Sequence, residues 1–420
     1  MEPGAAAQRE LERLEQLGSA DLVVGVLDQV CTWEGGPVAV VREALRDLSK
    51  VTRVVVVCND GAAANAVREN SDGAGGSESV TVLSYNLARE DHDGISLRTV
   101  SSGYRAVFEV SGKLGAGACG VIASDLQSAA PQWIQRLVQP VVELAFDLVA
   151  PRYTRHKMEG LLNRSILSPL HRALYGVQLQ NPLGPDFGIS GRLLRRVMSR
   201  SEAAPRRSQT DLVGLIAATA ASDGFQICET NLGARTQPPT DWRNLSSLLI
   251  EVLGPLFLEI ERQPAFWQGI RGSKPASRFG APAAISGDDG AVDADAMIES
   301  FHLGAQNLED VWGVVLPPTT LLELRKLARL PAEQFRMPDE LWARIVYDFA
   351  LGHRLQTINR EHLLRSITPL YLGWIASFAL ESEKTGPAEQ EALLERLSKA
   401  YEANKPYLVS RWRWPDRFNP

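Results

Sequence analysis

Between Leu22 and Ala150, short β-branched runs alternate with stretches whose apolar residues fall three and four apart. No other feature of the chain narrows the fold as much. Leu22–Leu27, Arg53–Val57, Val80–Leu83, Cys119–Ile122 and Phe146–Ala150 read as buried strands, too short and too branched for helices. Val41, Leu45 and Leu48 form one apolar helix face, with Glu43, Arg46 and Asp47 turned outward. Tyr104, Val107 and Phe108 mark a second helix, and Trp133, Ile134, Leu137, Val138 and Val141 a third. Strand–helix alternation at this spacing predicts an α/β fold, a mostly parallel sheet with helices on both faces. The polar, glycine-rich stretch from Ser71 to Ser79 can only be a connection.

From about Leu245 the pattern changes to long helical runs, such as Leu321–Arg329 and Asp339–Phe349. Two domains are expected, 1–245 and 246–420, the second mostly helical. Within it, 271–296 is rich in Gly, Ala, Ser and Asp and reads as a flexible surface excursion.

Composition bounds the partners. With 44 Lys+Arg against 50 Asp+Glu the net charge is −6, which argues against a nucleic-acid polymer or an anionic membrane as partner. The longest charge-free window, Ser366 to Leu380, is too short to span a bilayer. Acidic residues interrupt the first stretch, so no secretory signal is read there. Cys31, Cys58, Cys119 and Cys228 contain no CxxC pair, which fits reduced thiols and a cytoplasmic location.

In an open parallel sheet, ligands bind beyond the carboxyl ends of the strands. Three such ends carry suitable groups: Leu27-Asp28, Asn59-Asp60-Gly61 and Ser124-Asp125. A carboxylate there can hold a ribose hydroxyl, a base amide or a divalent cation; Asp, Asn and Ser also serve as turn and helix-cap residues. Arg152, Arg155, His156 and Lys157 follow the strand at Phe146–Ala150 and form a basic cluster suited to an anion. His171 and Tyr175 fall among Leu170 and Leu174 on one helix and read as packing residues. Trp412, Arg413 and Trp414 read as packing anchors.

Four segments carry a resemblance that covers nearly the whole chain: Val121–Ser128, Phe146–Lys157, Ser168–Gly176 and Gln180–Gly188. The helical stretch Pro338–Ala350 adds to it. In their order and spacing the chain resembles the retaining GT-A glycosyltransferases of the mannosylglycerate, glucosylglycerate and glucosyl-3-phosphoglycerate synthase group. The resemblance implies a GT-A fold (Rossmann-like) with a C-terminal helical lobe. It implies transfer of a hexose from a GDP- or UDP-sugar to a small anionic acceptor such as glycerate, and it allows a homodimer.

Carried over residue by residue, the resemblance makes Asp186 and Asp211 the catalytic acids. Asp186 would lie beside the anomeric carbon, and Asp211 would open the helix that closes the pocket; a turn carboxylate and a helix N-cap are the plainer readings. Leu27, Asp28, Asp60, Arg98, Arg105, Ser124, Asp125 and Gly184 would hold the nucleotide sugar. Arg152, Arg155, His156 and Lys157 would hold the acceptor. The group's D-x-D motif binds Mg²⁺ or Mn²⁺, but here those positions read Ala123-Ser124-Asp125, and Gln237 stands where a metal-binding His is expected. Asp125 and Gln237 make a poor set for a hard cation, so weak metal dependence is expected, with Arg98, Arg105 or Arg235 supplying positive charge. A degenerate homologue that binds a nucleotide or a partner without catalysis is the alternative.

Overall fold

A computed structural model describes residues 18–27, 36–46, 48, 50–59, 81–87, 97–123, 131–202, 212–235, 242, 244–281 and 292–415. Its residues divide into two units. A sheet unit contains 1–154, 183–237 and 276–284; a helical unit contains 155–182, 238–275 and 285–420. The chain therefore passes between them at 154/155, 182/183, 237/238, 275/276 and 284/285, rather than once near residue 245.

The strands are β1 (Leu22–Val26), β2 (Arg53–Asn59), β3 (Thr81–Leu87), β4 (Ala118–Ile122), β5 (Leu148–Thr154), β6 (Val177–Gln178), β7 (Phe187–Ser190), β8 (Ile227–Ala234), β9 (Lys274–Pro275) and β10 (Ser277–Phe279). Eight of them form one sheet in the order β10-β8-β5-β7-β4-β1-β2-β3. Every pairing in it is parallel except those of β7, which runs antiparallel between β4 and β5. The predicted sheet is thus present. β1 and β4 are buried at every residue, which is why both read as unbroken apolar runs.

Helices press closely on this sheet. The helix Pro131–Leu144 buries Trp133, Ile134, Leu137 and Val138. A Cβ at Gly188 would lie 1.9 Å from the Leu137 carbonyl oxygen, so only glycine lets β7 run beneath that helix. Gly25 is held in the same way, because a Cβ there would meet Val107 at 2.6 Å.

β5 begins two residues later than its sequence suggests and runs four further. The Phe146 N–H donates to the Pro140 carbonyl (3.1 Å), closing off the preceding helix, and Ala145 turns the chain at φ 60°. The strand starts where the Asp147 and Leu148 N–H groups meet the Gln226 carbonyl. Its far half pairs Arg152 with Asn231 and Tyr153 with Gly233, leaving Leu232 as a bulge in β8. Gly233 adopts φ 106° there, a conformation that favours glycine. Arg152 consequently lies within the strand instead of following it.

The helical unit is built around Trp267, Trp312, Trp342, Tyr347, Tyr371 and Tyr401, all nearly fully buried. Tyr371 stacks on Trp342 (5.7 Å) and Trp374 (6.3 Å). A π-helical turn at Asn163–Leu167 leaves the Ser165 carbonyl to accept from Trp342 Nε1 (3.3 Å) and the Tyr401 hydroxyl (3.0 Å). Arg172 is bidentate to Glu395 and also reaches Glu402, tying the helix Ser168–Tyr175 to the helix Pro387–Arg413. Asp348 is enclosed with Arg411 (2.8 Å) and the Tyr407 hydroxyl.

Several expectations need correction. The stretch 271–296 is not one loose excursion: β9 and β10 fall within it, the helix Ala294–Asn307 closes it, and 282–291 lie outside the described residues. Trp412 is the anchor expected, packed edge-on against Trp267 (5.1 Å) with Arg354 over its ring (4.5 Å). Trp414 is not an anchor, being 69% exposed. Arg360–Ser382 reaches the length and apolarity of a membrane span, but 67% of that window is buried inside the protein.

Candidate active site

The strand order fixes where a ligand can sit. From β1 the chain builds outward through β2 and β3, then returns to place β4 on the other side of β1. In open sheets a reversal of this kind marks where ligands bind, here beyond the carboxyl ends of β1 and β4. Because β7 is antiparallel, its first residues arrive at the same end.

Leu27 follows β1 and is almost buried. Its N–H donates to the Ile122 carbonyl (2.9 Å), and its side chain lies where a Cβ on Gly103 would come within 3.1 Å. After β4, the Ala123 N–H donates to Asp186 Oδ1 at 2.8 Å. The approach to β7 is pinned by the helix Leu97–Lys113: the Tyr104 hydroxyl donates to the Pro185 carbonyl (2.8 Å), and the Tyr104 ring stacks on Phe187 (5.8 Å). Gly184 is buried in this turn.

Asp186 has no exposed surface. Its other oxygen, Oδ2, accepts a short hydrogen bond from the buried Tyr153 hydroxyl. The carboxylate therefore joins the ends of β4, β5 and β7, with both oxygens engaged. It was expected against the sugar; it is found enclosed, holding Tyr153 and Ala123. The Tyr153 ring leans on Trp133 (5.7 Å), and the Arg235 guanidinium lies 5.1 Å from its centroid. Such a cation–π contact contributes about 0.5–2 kcal/mol. It holds a cation just past β8.

A second cluster crosses β5, β8 and β10. Glu229 is fully buried, with Oε2 2.9 Å from Arg152 Nη1 and 3.4 Å from Arg278 Nε. Two guanidiniums against one carboxylate leave an excess positive charge. The loop after β10 is fixed nearby, as Asn231 Nδ2 donates to the Gly280 carbonyl (2.7 Å) and the Asn231 carbonyl accepts from Arg136 (2.9 Å). Glu229 and Arg278 were not singled out from sequence. The available signal was an acidic residue inside the otherwise neutral strand Ile227–Ala234.

The expected acceptor cluster is divided. Arg152 belongs to the sheet unit, while Arg155, His156 and Lys157 begin the helical unit and are half-buried there. Arg155 covers Gly160, whose φ is 63° and where a Cβ would lie 1.9 Å from Arg155 Nη1. The His156 N–H donates to Glu159 Oε2 (3.3 Å), and the Lys157 carbonyl accepts from Arg164 (3.1 Å).

Arg105 is half-buried on the helix Leu97–Lys113; Arg98 lies on the same helix with its side chain outside the described set. Asp28, Asp60, Ser124, Asp125, Asp211 and Gln237 lie outside the described residues. Ala123 brings no side-chain donor for a cation, and both oxygens of the buried Asp186 already accept hydrogen bonds. No group of three His, Cys, Asp or Glu able to hold a metal occurs among the described residues. Burial pushes the Cys119 thiol up to about 12, against a weaker opposing bond from Ser111. Burial and then the Glu229 charge do the same for Cys228. Neither is a nucleophile near neutral pH.

No protein-family model and no curated protein sequence matches the chain. Among solved structures it is similar to the glucosyl-3-phosphoglycerate synthase of M. tuberculosis, at 19% identity over 60% of this chain and 84% of that one, with a TM-score of 0.36. For a complex of that enzyme with uridine diphosphate the values are 18%, 62%, 86% and 0.37. It is similar too to the mannosyl-3-phosphoglycerate synthase of Rubrobacter xylanophilus, at 16% identity over 64% of this chain and 81% of that one, with a TM-score of 0.37.

Proposed function

We propose that the sheet unit is a glycosyltransferase. It binds a nucleotide-diphosphate sugar across the carboxyl ends of β1 and β4 and transfers the hexose, with retention, to a small anionic acceptor such as glycerate. The observation that carries this reading is the reversal of strand order at β1, the kind of position where open sheets bind ligands, with the Ala123 amide and the Tyr153–Asp186 pair beside it.

In this reading Leu27, Asp28, Asp60, Ser124, Asp125 and Gly184 hold the nucleoside and sugar, and Asp211 closes over them. Arg98, Arg105 and Arg235 meet the charge that develops on the departing diphosphate. The leaving phosphate oxygen takes the acceptor's proton, so no carboxylate nucleophile is needed. Asp186 positions Tyr153 and the Ala123 amide without touching substrate. Arg152 and Arg278, in excess over Glu229, supply positive charge for the acceptor's anion. A divalent ion, where one binds, would neutralise part of the diphosphate charge.

The test incubates the protein with UDP- or GDP-hexoses and glycerate or phosphoglycerate, with and without EDTA. Nucleoside diphosphate release and the product's anomeric configuration are read by NMR. Release of the diphosphate with an α-linked product, largely preserved in EDTA, is expected. The absence of any sugar transfer across the panel overturns the enzymatic reading. A nucleotide-binding protein without turnover is the second reading, favoured by Ala123 at the first position of the metal motif. It predicts nucleotide-dependent thermal stabilisation with no diphosphate released.

A further inference from the structure

A cavity of about 390 Å³ lies wholly within the helical unit, between the last turns of the helix Pro387–Arg413 and the segment 268–272. Its volume falls within the range of small-ligand sites, roughly 300–1,000 Å³. Nothing in the proposed transferase chemistry uses it.

Its lining combines three cations with an apolar wall. Lys405, only 7% exposed, donates from Nζ to the Ile270 carbonyl at 2.7 Å. Ammonium has three donors, so this bond leaves capacity for a ligand. Arg413 gives Nε to Gln268 Oε1 (2.8 Å), which fixes its stem and turns the guanidinium into a prepared fork. Arg271 is exposed, and no carboxylate lies within ion-pairing range of it among the described residues. The one acid in the lining, Glu402, is taken by Arg172 at 3.0 Å. Burial, and then the nearby Arg271, lower the Lys405 pKa to about 8, against the opposing charge of Glu402. Val409 and the exposed indole of Trp414 supply the apolar side. The carbonyls ending the helix oppose an anion, but that effect is confined to its last turn, and Arg413 lies in the same turn.

We infer that this cavity is a second ligand site, for a small phosphate-bearing molecule with a planar apolar part. The cations take the phosphate, and Trp414 offers a face for stacking. The naphthyl probe carries no sugar, nucleoside or diphosphate, so its binding can be followed apart from that of the nucleotide sugar at the strand ends.

The experiment uses the full chain and 1-naphthyl phosphate as probe, with 1-naphthol and inorganic phosphate as controls, followed by calorimetry. One site is expected, with the phosphate ester binding more tightly than either control. Arg271 and Arg413 are exposed, so Arg271→Ala and Arg413→Ala are expected to fold. Each should weaken the probe by about 10- to 100-fold, the size of a lost charge-assisted bond. Trp414→Ala should weaken naphthyl phosphate while leaving inorganic phosphate unchanged. UDP affinity should be the same in all three variants. Failure of the probe to bind at millimolar concentration, or equal affinity in parent and the Arg271→Ala/Arg413→Ala double variant, overturns the assignment.

Discussion

Replacing Arg152 by Ala separates its ion pair with Glu229 from the acceptor-binding role proposed for it. Glu229 has no exposed surface and relies on Arg152 at 2.9 Å, with the half-exposed Arg278 at 3.4 Å as the second cation. At an effective dielectric of about 20, opposite charges roughly 4 Å apart attract by about 4 kcal/mol. Removing one partner of a buried pair costs about 3–5 kcal/mol when the survivor is stranded. Here Arg278 remains and water can enter where Arg152 stood, so a loss of about 2–3 kcal/mol is expected. In a domain of this size 1 kcal/mol shifts Tm by about 2–4 °C, which puts Arg152→Ala about 4–12 °C below the parent in a calorimetric or circular-dichroism melt. The double variant Arg152→Ala/Glu229→Gln, which no longer buries an underpaired charge, should recover at least half of that loss. Acceptor kinetics then distinguish the roles. If Arg152 also binds the acceptor, KM stays raised in the double variant although stability has returned. A melt of Arg152→Ala within 1 °C of the parent, or a double variant less stable than the single, would refute the reasoning.

Two further outcomes are expected. Tyr153→Phe leaves an Asp186 oxygen buried without its donor and should cost about 1–3 kcal/mol in urea unfolding; an unchanged midpoint would contradict the clamp described for that pair. Burial raises the Asp348 pKa to about 7, against the opposing Arg411 and Tyr407. A folded pKa above the unfolded value means that this stability contribution is present below about pH 4 and lost as pH rises through 7. The parent's advantage over Asp348→Asn should therefore shrink between pH 4.5 and 7.5, and a constant difference in Tm would count against it.

What could be read from sequence followed from burial. β1, β2 and β4 are buried stretches of a parallel sheet, and they announced themselves as unbroken apolar runs. β5 was displaced because Phe146, the residue that appeared to open it, closes the preceding helix, while the true strand ends in Arg152, Tyr153 and Thr154. β7 is four residues long and contains two small ones, too little to carry a period, so Asp186 read by itself as a turn acid and only the resemblance made it catalytic. The partnership of Glu229 with Arg152 spans 77 residues of sequence and exists only because β5 and β8 pair. His171, read as a packing residue, is buried with Nδ1 on the Val177 carbonyl.

The antiparallel strand also constrains the order in which the molecule can be made. β4 and β5 are not neighbours; β7 lies between them, and it begins at Phe187, well after β5 ends at Thr154. A ribosome adding roughly 5–20 residues per second needs about 2–7 s to cover that interval. During those seconds the emerging chain holds two apolar strands whose facing edges have no partner, and most of the residues being added, 155–182, belong to the other unit. Open edges of this kind pair readily with strands of other chains. Translation speed across residues 155–186, and any holdase that covers the nascent edges, would therefore influence how much of this protein reaches its native state.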